Sequence, residues 1–90
     1  MIKNFEYIII VYKNRTETMR LHQSLNRMRV KNSIIPTPNQ ISASCGLSLK
    51  SRYSDLNKIL FCINANCLSP NYNIYGEIKK ISNIVYTKIK

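Results

Sequence analysis

Apolar residues crowd into one short run near the start of the chain. From Phe5 to Tyr12 the sequence reads FEYIIIVY, and from Tyr7 onward it is apolar at odd and even positions alike. A strand that is apolar on both parities has both faces covered, so this run predicts a central strand. The period then changes. Thr18, Leu21, Leu25 and Met28 recur at three- and four-residue steps, the spacing of one helical stripe, with Arg20 and Arg27 projecting from the opposite side. Asn14-Arg15-Thr16-Glu17 has the form of a capping box, with Asn14 as N-cap and Glu17 at the third helical position. A helix is predicted from there to about Arg29.

The second half repeats the alternation. Asn32 to Ile35 predicts a short strand, stopped by Pro36-Thr37-Pro38, where two prolines hold the backbone extended. Asn39 to Gly46 (NQISASCG) is a loop of small residues, and Leu47 to Lys50 alternates as a half-buried strand does. Ser54 is the N-cap candidate of a second helix, with Asp55 in its first turn. Leu56, Ile59, Leu60, Ile63 and Cys67 share one face of that helix, which must end before Pro70. Tyr72 to Lys79 predicts a fourth strand, Ser82-Asn83 a turn, and Ile84 to Ile89 a fifth strand or a tail. The order is β-α-β-β-α-β plus an extension. Two helices cover only one face of a four-stranded antiparallel sheet, so the expectation is a ferredoxin-like α+β sandwich with a possible extra C-terminal strand. At 90 residues the chain is expected to be one domain, 1–90.

Composition changes this picture at two points. Fourteen lysines and arginines face four acids, a formal net charge of +10. Lys, Asn and Ile are all abundant, as a genome rich in A and T would make them, but such a genome supplies Glu as readily as Lys. The shortage of acids therefore calls for an explanation, and an anionic partner is one: nucleic acid, a phosphorylated ligand or an acidic protein. Nucleic acid fits less well than the charge suggests. RNA-binding domains of this element order stack bases on aromatic residues of the central strands. The third strand here offers Leu47 and Leu49 at those places, and Tyr7 is a single aromatic on the first. Arg20, Arg27 and Lys31 read as a solvated face.

The second point is sulfur. Three cysteines make no complete disulfide set. No signal peptide and no run of about 18 apolar residues is visible, so a cytoplasmic, thiol-reducing setting with no membrane is expected. Cys67 lies on the second helix's apolar stripe and reads as a core residue, while Cys62 falls about 120–140° away, at the flank or beyond. Cys45 sits in the small-residue loop between Ser44 and Gly46, where a partner's sulfur could reach it. Gly46 would let the backbone turn and present amide N–H groups, which stabilise a thiolate. Other equipment is thin. His22 borders the first helix's stripe, and Glu6, Glu17, Asp55 and Glu77 are scattered. Cys62-x4-Cys67 lacks the second Cys or His pair that zinc needs, and no glycine-rich phosphate loop is present. No cofactor or metal is expected.

At Pro36-Thr37-Pro38 and Ser42-Ala43-Ser44-Cys45-Gly46-Leu47 the sequence resembles a family of small bacterial domains of unknown function, the Putative Se/S carrier protein-like family. The likeness runs from about Tyr7 to Ile78. It implies a cytoplasmic sulfur or selenium carrier without turnover chemistry of its own, working beside a cysteine desulfurase or relay proteins of the TusA type. It implies that Cys45 is the carrier thiol, with Pro36, Thr37 and Pro38 fixing the loop's entry, Ser42 and Ser44 within it, and Gly46 at its exit. Family members commonly carry a basic residue directly after the second proline. This chain has Asn39, so Lys50 or Arg52 would have to supply any contact to an anion or partner. The segment Ser82 to Lys90 lies outside the likeness. Two alternatives share the chain's features: a basic binding module for nucleic acid or acidic protein in which Cys45 is incidental, and a thiol redox or regulatory protein.

Overall fold

The computed structural model describes residues 5–42, 46–66 and 68–90. Its elements follow the predicted order: β1 (Tyr7–Tyr12), α1 (Arg15–Arg27), β2 (Asn32–Pro36), β3 (Leu47–Arg52), α2 (Leu56–Ala65), β4 (Tyr72–Lys79) and β5 (Ile84–Lys88). The strands form one sheet in the order β2-β3-β1-β4-β5, with every neighbouring pair antiparallel. The sheet therefore has five strands rather than four, because the C-terminal run pairs with β4 instead of trailing as a tail.

The central place of β1 follows from its two apolar parities. Ile10 stands between Leu49 of β3 and Ile74 of β4, and all three belong to the core beneath the helices. Leu21 and Leu25 of α1 and Ile59 and Ile63 of α2 fill the same core. Ile9 and Val11 point the other way and are buried as well. Each end of α1 has its own device. Asn14 Oδ1 accepts the Glu17 N–H at 2.9 Å, as the capping pattern predicts. At the other end the Val30 N–H bonds the Leu25 carbonyl at 2.9 Å and the Arg29 N–H the Asn26 carbonyl at 3.1 Å. That pair of bonds is the Schellman arrangement, with Arg29 in the left-handed region at φ 61°.

Three local expectations are corrected. Met28 is not on the buried stripe: it caps α1 and is exposed, and the turn at Arg29 brings Val30 into the core instead. Ser54 does not cap α2. A 3-10 turn spans Tyr53–Asp55, and the Asp55 carboxylate is held by Arg52 at 3.2 Å rather than by a helix N–H. Cys62 is not at the flank of the buried surface but fully buried. α2 packs on α1 as well as on the sheet, so its buried surface is wider than the stripe facing the strands. Cys67 lies outside the described residues.

Candidate functional site

The segment leading to the SCG tripeptide is built from Pro36 onward. Pro36 ends β2, an edge strand, where a missing N–H is tolerated. The Thr37 N–H donates to the Gly46 carbonyl at 3.3 Å, and the buried Thr37 and Ser48 hydroxyls meet at 2.6 Å. These bonds tie the loop's entry to its exit. The Pro38 carbonyl then accepts the N–H groups of Ile41 at 3.0 Å and Ser42 at 3.1 Å, closing a tight turn. The Gln40 amide donates to the Ile84 carbonyl of β5 at 3.3 Å. Ser44 and Cys45 lie outside the described residues. At Gly46 the backbone is not in the left-handed region, and a Cβ would meet nothing within 4 Å. Among the described residues neither a positive φ nor a close neighbour accounts for the glycine.

Ile41 and Ser42 form one wall of an open groove of about 810 Å³, completed by Val11, Lys13, Tyr72 and Asn73 among others. It flanks the start of the loop, and among its described lining residues Lys13 is the cation.

A second groove, of about 550 Å³, lies on the sheet face turned away from the helices. Tyr7, Lys31, Ser33, Lys50, Arg52 and Lys79 line it. The two cations proposed to meet an anion, Lys50 and Arg52, are both here, and both already hold carboxylates. Lys50 Nζ is 3.2 Å from Glu77, reaching across β1, and stands 4.6 Å above the Tyr7 ring. Glu77 is buried and also accepts the Tyr86 hydroxyl at 3.1 Å. Burial first, and this bond second, push the Tyr86 hydroxyl pKa up. Sequence reasoning missed Lys31, Ser33 and Lys79 as neighbours of this pair. The signal was parity: Tyr75, Glu77 and Lys79 alternate on β4 as Lys50 and Arg52 do on β3. The same parity puts Tyr75 and Tyr86 on the face that holds Tyr7, the single aromatic that the sequence placed on the first strand.

The remaining candidates are structural. Burial raises the Cys62 thiol pKa, so this sulfur is neither accessible nor readily ionised. His22 Nδ1 lies 2.6 Å from Asn32 Oδ1 and its Nε2 3.3 Å from Asn26 Nδ2, while Asn32 Nδ2 bonds Asn26 Oδ1 at 3.0 Å. The three side chains close a ring that fastens α1 to the start of β2. Among the described residues no group of three His, Cys, Asp or Glu is placed to hold a metal ion, and no helix is long and apolar enough to cross a membrane.

The model of one protein family, described as Putative Se/S carrier protein-like, matches residues 6–76. The match covers most of the chain and stops inside β4, so β5 lies beyond it. No curated protein and no solved structure matches the chain.

Proposed function

From the chain's membership of the Putative Se/S carrier protein-like family, we propose that it carries sulfur or selenium as a persulfide or perselenide on Cys45, passing it between partner proteins. The family match across the segment that contains Cys45 is the observation that carries this reading. Two structural facts support it. The loop's entry and exit are fixed by buried bonds at Thr37 and Ser48, so a reactive group between them would have a defined base. Cys62, by contrast, is sealed in the core. On this reading the first four strands are ferredoxin-like and β5 is an addition.

The transfer needs no redox partner. The Cys45 thiolate attacks the outer sulfur of a donor persulfide, the new S–S bond forms as the donor's own breaks, and the donor leaves as a thiolate. A second transfer to an acceptor thiolate repeats the step in reverse. Proton transfers can come from the partners, so the step asks for no base on the chain itself. A cysteine desulfurase, or a relay protein of the TusA type, is the donor class the reading calls for, in the cytoplasm.

The test is an intact mass after incubation with an active desulfurase and isotope-labelled cysteine. One added labelled sulfur, absent from Cys45→Ser, is expected. No adduct with a working desulfurase would sink the reading. The redox alternative predicts a mixed disulfide of a different mass. The binding-module alternative predicts that Cys45→Ser retains full function.

A further inference from the structure

We infer that the groove between β2 and the end of β4 is a docking site for an acidic, extended segment of a partner protein. The charge argument comes first. Four cations, Lys31, Lys50, Arg52 and Lys79, line one groove. Glu77, the carboxylate beside Lys50, is buried and engaged by Lys50 and Tyr86. Arg52 is held by Asp55. Among the described residues, Lys31 and Lys79 form no ion pair, and both are exposed. Lys31 directly precedes β2 and Lys79 ends β4, with β3 and β1 between those strands, and the two flank the groove from two sides. Two unneutralised cations set apart across a floor whose own cations are already paired suit carboxylates spaced along a chain.

The floor favours a polypeptide over a nucleic acid. Single-stranded nucleic acid needs free aromatic faces on which to stack. Among the groove's described lining residues the one aromatic is Tyr7, whose ring is covered by Lys50, and Tyr75 and Tyr86 share the sheet face without lining the groove. What remains is Ser33, Asn32, Ser51 and the small apolar surface of Ile35. Asn32, Ser33 and Ile35 belong to β2, which among the described residues is the edge strand with nothing paired to its outer side. Such an edge can bind an extended peptide through its main chain, while the lysines choose an acidic one.

The choice of a protein as occupant rests on the carrier reading, since a cargo passed between thiols needs its partner brought close. β3 links the two places: Leu47 follows the SCG tripeptide and Arg52 reaches the groove. At ~3.3 Å per residue its five steps separate them by about 17 Å, well within one ordinary protein interface.

The test titrates decaglutamate into the 15N-labelled full chain at low salt, with a ten-nucleotide oligothymidylate in a parallel arm. Decaglutamate is expected to shift the amides of Lys31 to Ser33, Lys50 to Arg52 and Lys79. The double variant Lys31→Ala, Lys79→Ala should weaken binding about five-fold. Removing two helix-side charges instead, by Arg15→Gln with Lys58→Gln, should weaken it less than about two-fold. Equal weakening by both pairs, or shifts spread over the helices, would show only a diffuse charge effect and overturn the site. Tighter binding of the oligothymidylate at the same amides would overturn the peptide as occupant. Loading Cys45 from inorganic polysulfide needs no partner and separates the two readings. A chain that takes up sulfur but ignores decaglutamate loses the docking site alone. A chain that binds decaglutamate but never takes up sulfur loses the carrier reading, and with it the reason for a protein occupant.

Discussion

Arg29 closes α1 at φ 61°, where a side chain crowds its own carbonyl and glycine is the usual occupant. Its N–H and that of Val30 satisfy two of the helix's last carbonyls, so the turn is held from both sides. Arg29→Gly should keep those bonds and remove the crowding, raising stability by about 1 kcal/mol in urea unfolding. A loss would mean that the arginine side chain holds the turn. The same residue explains why Met28 misled the sequence reading. Helical spacing continues the stripe to position 28, but a left-handed residue at 29 ends the helix and delivers Val30 to the vacant place. No glycine marked that stop. Cys62 misled for a related reason: a helical wheel gives the direction of a side chain, not the number of neighbours its helix has.

Among the strands, β4 was the most legible, with both ends where alternation placed them, Tyr72 and Lys79. What alternation does not reveal is why Gly76 interrupts it. A Cβ there would run into the Phe5 ring, which packs at 5.5 Å from the Tyr53 ring. The glycine leaves room for an aromatic that arrives from outside the sheet, a contact no local pattern encodes. Gly76→Ala should therefore destabilise the fold by about 1–3 kcal/mol. In a Phe5→Leu background the same change should cost less, and equal costs in a double-mutant cycle would disprove the contact. The start of α2 was read less well. Asp55 looked like a first-turn acid, but its neighbour Arg52 lies within reach at the end of β3, and a buried carboxylate takes the charged partner.

Across the whole molecule the excess of cations was legible and its placement was not. Net charge is a sum over residues. The groove arises only when β2, β3 and β4 are set in the order the sheet adopts. The fold also buries groups that must stay neutral. Burial raises the pKa values of Tyr12, Tyr86 and Cys62 above their ordinary values of 10.0 for the phenols and 9.0 for the thiol. In the unfolded chain these groups ionise first, so the stability they contribute is complete below pH 9 and falls as pH rises through the folded values. Urea midpoints should hold from pH 7 to 8.5 and drop steadily above pH 9. A flat profile to pH 11 would contradict the burial of all three.

Glu77 sits at the crossing of these scales. It clasps β3 through Lys50 and β5 through Tyr86 while hidden under the face that gathers positive charge. Erasing its negative charge would make that face stickier toward an acidic visitor and the sheet less sturdy in the same stroke. Adhesion and robustness are thus set against each other in a single side chain, and neither can be tuned there without disturbing the other.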